Sequence, residues 1–195
     1  MSLRELTKIL IVDNGTHYLE ALGRLFAYCD VFISSRATFV PSQAARADVI
    51  ILSGGHIPVA GNESLYEQEI NYIKKATVPI LGICLGYEII AHACGARLEL
   101  LDSKEAGVIT IIPTQENSLF EGVRNFSVYE NRRWVVKTLP SGLVGLAESP
   151  RGYEIIKHAT KPIYGFQFHP ELFVHETSGK KIFTNMFNMF KRSEG

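Results

Sequence analysis

The sequence has 195 residues with 46% hydrophobic content, enough to bury one sizeable core, so a single α/β domain over residues 1–195 is the expectation. Twenty basic and twenty acidic side chains cancel, and without a basic excess or basic runs the chain offers no electrostatic footprint for nucleic acid or an anionic membrane surface. Cys29, Cys84 and Cys94 leave one cysteine over in any pairing and form no close ligand pattern with histidine, which suits a reducing cytoplasm and argues against a structural metal site.

Met1 to Lys8 carries charges where a signal peptide needs an apolar core, and the longest apolar region, Val78 to Ala96, is interrupted by Glu88 and His92. Lys8 to Val12 reads as the first strand, closed by the polar turn Asp13-Asn14-Gly15-Thr16. Tyr18, Leu22, Leu25 and Cys29 follow at helical spacing and are expected to face the core. Val31 to Ile33 is a short second strand, Pro41 to Asp48 a polar connection, and Val49 to Leu52 a third strand of mostly β-branched residues. Ser53-Gly54-Gly55 then lets the backbone approach a ligand closely. Ser64 and Glu67 have capping-box spacing ahead of a helix whose apolar stripe is Tyr66, Ile70 and Ile73 and which ends near Ala76.

Val78 to Ile83 carries almost no polar group, as a parallel strand buried on both faces requires, and Ile89, Ile90, Ala93 and Cys94 begin a helical repeat. Cys84 stands at the switch, between Gly82 and Gly86. This is the pattern of a nucleophile elbow, where a sharp strand-to-helix turn tolerates only small neighbours. The helix N-terminus favours thiolate over thiol, which makes Cys84 the first candidate for an attacking group. A buried cysteine in a tightly packed strand-helix joint is the alternative reading.

Gly95 is placed to cap that helix, and Arg97 to Leu101, Val108 to Ile112, Phe126 to Tyr129 and Leu143 to Ala147 read as short strands. Tyr153 to His158 and Pro162 to Phe168 form a hairpin around Ala159-Thr160-Lys161. The apolar face of Ile182, Phe183, Met186, Phe187, Met189 and Phe190 closes the fold as a C-terminal helix. The alternation of strands and helices predicts an α/β fold of flavodoxin type: an open, parallel-centred sheet with helices on both faces and a strand-rich C-terminal half. The strand ending at Phe168 is followed by His169 and, two residues on, Glu171, so a base and a group to orient it accompany Cys84.

With Gly82-Ile83-Cys84-Leu85-Gly86 and His169-Pro170-Glu171 in place, the chain resembles the class I glutamine amidotransferases over nearly its whole length. Ile9 to Gly15, Ile51 to Gly55 and Lys161 to Glu171 share in the likeness, which is strongest to the branch of glutaminase subunits of GMP synthase. The resemblance implies that Cys84 attacks the side-chain amide of glutamine, His169 shuttles the proton and Glu171 orients His169. It further implies an oxyanion hole from the Gly55 and Leu85 N–H groups, substrate contacts at Gly54 and Glu88, and no cofactor. Ammonia would pass to a separate ATP-dependent synthetase of the GMP synthase ATP-pyrophosphatase type, most naturally for the amination of XMP. No Ser-Gly-Gly-x-Asp-Ser loop or Walker pattern occurs in these residues.

The chain departs from the family pattern at four places. Glu88 stands for glutamine, His56 for proline, His17 for glutamine, and Tyr129-Glu130-Asn131-Arg132-Arg133-Trp134 replaces a Ser-His-x-Asp element. An ionised Glu88 one turn from Cys84 would oppose the thiolate, unless His92, four residues on, pairs with it. Arg132, Arg133 and Trp134 are candidates for the partner contact, being residue types enriched at interface hot spots, with a plain solvated loop as the alternative. A regulatory protein that keeps the fold without glutamine turnover, and a hydrolase of another γ-glutamyl substrate, remain the competing functions.

Overall fold

The structure, a computed structural model, describes residues 6–192; Met1 to Glu5, within the segment read as too charged for a signal peptide, and Ser193 to Gly195 lie outside it. The chain runs β1 (Lys8–Asp13), α1 (Leu19–Arg24), β2 (Asp30–Ser35), α2 (Pro41–Ala44), β3 (Val49–Leu52), α3 (Glu67–Lys75), β4 (Ile80–Ile83) and α4 (Leu85–Ala93). It continues with β5 (Glu99–Thr110), β6 (Ile112–Pro113), β7 (Ser127–Val135), β8 (Leu143–Ser149), β9 (Gly152–His158), β10 (Ile163–Phe166) and α5 (Gly179–Arg192).

The main sheet has eight strands in the order β2-β1-β3-β4-β10-β9-β8-β6, parallel from β2 to β10 and antiparallel beyond. This is the expected α/β architecture with its strand-rich second half. Because side chains alternate along a strand, each central strand supplies both faces. Leu10, Val12, Ile50, Leu52 and Ile80 pack under α3 and α4, while Ile9, Ile11, Ile51, Leu81 and Ile83 pack against Leu22, Phe26, Ile182, Phe183 and Met186 of the α1 and α5 side. Continuous apolar runs are what burial on both sides demands, and β3 and β4 are buried at every position.

Gly95 ends α4 as expected, at φ +88°, with its own N–H on His92 and the Ala96 N–H on Ala91, both at 2.9 Å. Elsewhere the local reading needs correction. The capping box at Ser64 and Glu67 does not form: Ser64 lies inside a 3-10 turn, Glu63–Tyr66, that leads into α3, and neither Asn62 nor Tyr66 caps with its side chain. Helix α1 spans only six residues, so the stripe from Tyr18 to Cys29 is not one helix face. The strands expected at Arg97 to Leu101 and Val108 to Ile112 are largely one long bulged strand, β5. It pairs with β7 as a separate antiparallel ribbon, and β7 carries the Glu130 to Trp134 stretch as strand rather than loop. Among the described residues no helix is long and apolar enough to cross a membrane.

Candidate active site

The elbow exists because β4 must turn into α4 within one residue. Cys84 takes φ +50° and ψ −104°, a conformation costly for a side chain and held by its surroundings. The two glycines are sterically required: a Cβ on Gly82 would overlap the Gly86 backbone, and one on Gly86 would overlap the Leu52 carbonyl. The Cys84 N–H is fixed on the Phe166 carbonyl at 2.8 Å, which ties the elbow to the end of β10. Leu85 opens α4, so its N–H is among the helix-start donors with no intrahelical acceptor.

His169 follows β10, the neighbour of β4, and the sheet therefore delivers it to the same end. Its Nδ1 lies 2.8 Å from Glu171 Oε1, and both side chains are buried. Burial alone would lower the His169 pKa, but the Cys84 thiolate and the Glu171 carboxylate outweigh it and hold the imidazole well above its ordinary value. The space a Cβ at Gly54 would fill lies 3.3 Å from His169 Cε1 and 3.7 Å from Cys84 Cβ, so Gly54 backs both groups. Asn14 braces that loop, its N–H on Ser53 Oγ at 2.9 Å and its side-chain amide on the Ser53 carbonyl at 3.3 Å. Gly55 sits so close to the Asn14 carbonyl and the Leu85 side chain that a Cβ there would overlap both, and Gly55 and Leu85 line the same cleft as Cys84. Cys84, His169, Glu171, Gly54, Gly55 and Leu85 thus come together.

These groups open into a cleft of about 490 Å³ lined by Gly55, Cys84, Glu88 and His169 within and by Lys104, Arg133 and Trp134 toward the mouth. Glu88 is only 4% exposed and its Oε2 has no hydrogen-bond partner among the described residues. Burial raises its pKa from 4.5 to about 8, against the pull of Arg132. The condition weighed from the sequence, an ionised Glu88, is therefore not met near neutrality: the group is mostly a carboxylic acid there, because the helix face that carries it is buried. His17 and His56 stack at the mouth with ring centroids 5.7 Å apart, and His56 Nδ1 faces the Gly15 carbonyl at 3.2 Å.

The proposed partner contact divides. Arg133 is exposed and Trp134 half-buried opposite Leu100 on β5, itself 55% exposed, so these two present a surface. Arg132 does not: its side chain is fully buried and ion-paired to Glu105 and Glu154, which removes it from any docking face. Two site residues escaped the sequence reading. Tyr18, expected in the core, packs edge-on against His169 at 5.5 Å and lines the cleft, and the Asn131 carbonyl faces the Cys84 thiol at 3.9 Å. The only sequence signal for Tyr18 was its position just past the polar turn that ends β1, at the carboxyl edge where α/β sheets place sites.

The chain belongs to the class I glutamine amidotransferase family, whose sequence model, Glutamine amidotransferase class-I, matches residues 10–189. Its relatives narrow this further. The A-subunit of GMP synthase (glutamine-hydrolyzing) from Methanocaldococcus jannaschii is 36% identical over 184 residues, spanning 91% of this chain and 94% of that protein. The protein of the same description from Thermococcus kodakarensis is 36% identical over 183 residues, spanning 91% and 95%. A crystal structure described as a putative GMP synthase A-subunit from Thermoplasma acidophilum superposes with a TM-score of 0.87 at 28% identity, covering 98% of both chains. A glutamine amidotransferase from Thermotoga maritima shares the fold, with a TM-score of 0.72 at 17% identity over 97% of this chain and 84% of that one.

Proposed function

We propose that this chain is the glutaminase subunit of a two-chain GMP synthase, acting in a cytoplasmic setting. The observation that carries the reading is the convergence of Cys84, at the strained elbow, with a His169 imidazole held by Glu171 at 2.8 Å. The thiolate attacks the carboxamide carbon of glutamine, and the oxygen takes up the negative charge within reach of the Gly55 and Leu85 N–H groups. Collapse breaks the C–N bond, with His169 giving its proton to the departing ammonia. Water then adds to the γ-glutamyl thioester, His169 takes the water proton, and glutamate and the free thiolate are restored. Glu171 keeps the imidazole in one orientation throughout, while Gly54 and Glu88 bound the substrate.

Ammonia passes to a separate ATP-pyrophosphatase-type synthetase that aminates XMP; the relatives' description as A-subunits supports a second chain. Arg133 and Trp134 beside the mouth are the proposed contact. The test is ammonia release from glutamine by the chain, with and without that synthetase, XMP and ATP. Release that rises with the synthetase and vanishes in Cys84→Ala is expected. Full release by the isolated chain, with no binding to a synthetase from the same cell, would leave a free-standing γ-glutamyl hydrolase as the better account.

A further inference from the structure

Strand β7 touches both halves of the proposed catalytic pair through its backbone. The Tyr129 carbonyl accepts the His169 main-chain N–H at 2.9 Å, and the Asn131 carbonyl faces the Cys84 thiol at 3.9 Å. Side chains alternate along a strand, so Glu130 and Arg132 leave β7 on the other face from Tyr129 and Asn131. Both are buried, at 0% and 3% exposed.

There the Arg132 guanidinium is held from two further strands. Its Nη1 and Nη2 donate to Glu154 of β9 at 2.8 and 2.7 Å, and its Nε and Nη2 to Glu105 of β5 at 2.9 and 2.7 Å. A Glu130 oxygen lies 3.7 Å from Nε, and Ser149 of β8 donates to Glu154. Three carboxyls thus surround one cation. Burial and the neighbouring Glu154 push Glu130 well above the usual carboxylate range, which favours its protonated form beside the Arg132 cation, and Arg151 approaches Glu105 at 3.9 Å from the outer edge. An apolar set of similar volume would hold the strand down as well as this cluster does. What a guanidinium fork adds is direction, since its donors are rigid and match two carboxylates in one plane.

We infer that Arg132 and Glu130 are positioning residues: with Glu154 and Glu105 they form a buried clamp that fixes the Tyr129–Asn131 backbone and so sets the Cys84 thiol against the His169 imidazole. The inference rests on the reading of Cys84 and His169 as nucleophile and base. It assigns a role to residues that replace the family's Ser-His-x-Asp element, and it takes Arg132 away from the partner surface.

The experiment is iodoacetamide labelling of the whole chain near neutrality, followed site by site, with Cys29 and Cys94 as internal references. Arg132→Met should slow Cys84 labelling at least about tenfold, since small displacements of a reacting group carry large rate costs, while the references keep their rates. Arg132→Lys, which returns the charge without the fork, should recover part of the loss. Should Arg132→Met fail to fold, Glu105→Gln removes one anchor from the edge of the cluster, where the side chain is 22% exposed. It should slow Cys84 labelling several-fold at an unchanged melting temperature. Unchanged labelling of Cys84 in a folded Arg132→Met or in Glu105→Gln, or equal slowing at all three cysteines, overturns the clamp. Labelling reads the thiolate and not glutamine, so a wild-type chain that failed to hydrolyse glutamine would sink the proposed function while leaving this test intact.

Discussion

Glu88 and Cys84 lie one helical turn apart, with the Glu88 N–H on the Cys84 carbonyl at 3.0 Å, so the charge on one bears on the charge of the other. Two negative charges roughly 6 Å apart at an effective dielectric near 20 repel by about 3 kcal/mol, worth up to about two units on the thiol pKa. Burial suspends that conflict near neutrality by keeping Glu88 protonated up to about pH 8. A neutral carboxyl also retains one donor and one acceptor, as the family's glutamine does. Glu88→Gln should therefore change the glutaminase rate by less than about threefold near pH 7 and exceed the wild type several-fold above pH 8, where only the wild type ionises. Superimposable pH–rate profiles of the two proteins would show that Glu88 does not govern the thiolate. A glutamine-like chloroketone should label Cys84 ahead of Cys29 and Cys94, and His169→Ala should slow that labelling because the thiolate loses its ion-pair partner. Equal labelling of the three cysteines would remove Cys84 from the nucleophile's place.

At the scale of elements, what the sequence disclosed followed from how local the cause is. β3, β4 and the elbow were legible because burial on both faces writes an unbroken apolar run, and because a one-residue turn leaves its glycines at fixed spacing. The β5–β7 ribbon was legible only in pieces, as short strands, since the part of β7 that carries Glu130 and Arg132 on a buried face has charges that admit a loop. The partners that justify Arg132 there lie far away in the chain, 27 residues off at Glu105 and 22 at Glu154. Helix α3 hides a similar case. Glu69 is 1% exposed with neither oxygen hydrogen-bonded among the described residues, and burial raises its pKa from 4.5 to about 7. A folded-state value above the unfolded one means stability present below about pH 4.5 and lost as pH rises through 7, at most roughly 3 kcal/mol for this group. Glu69→Gln should raise the melting temperature at pH 8 by on the order of 5 °C and leave it nearly unchanged at pH 4.5. An equal gain at both pH values would mean that titration of Glu69 is not the cause.

For the whole molecule, the position of the cleft decides what a second chain can do. The parallel strands β1, β3, β4 and β10 all point their carboxyl ends at Cys84, so the turns that follow them form one rim and leave the opposite end of the sheet as scaffold. Ammonia released inside an open cleft is lost to water unless something covers the mouth, and the β5–β7 ribbon carries its exposed groups beside that mouth. Leu100 stands opposite Trp134, and Arg133 reaches back to the Leu101 carbonyl at 3.3 Å, which holds its guanidinium near the rim. An aromatic and an arginine beside an exposed leucine are the composition of an anchor region, where truncating one residue typically costs about 2 kcal/mol or more of binding. The isolated chain is therefore expected to hydrolyse glutamine poorly and the cognate synthetase to stimulate it. Trp134→Ala and Arg133→Ala should each weaken the synthetase's apparent affinity by roughly tenfold or more while leaving the maximal stimulated rate within about twofold. Lys75→Ala, exposed at the far end of α3, should do neither. Arg132→Ala should behave differently from its neighbours, lowering the maximal rate rather than the affinity, because its side chain faces the buried carboxylates and not the rim. The measurement is ammonia release against synthetase concentration for the four variants. If Arg133→Ala and Trp134→Ala titrate like the wild type, the contact lies on another part of the rim.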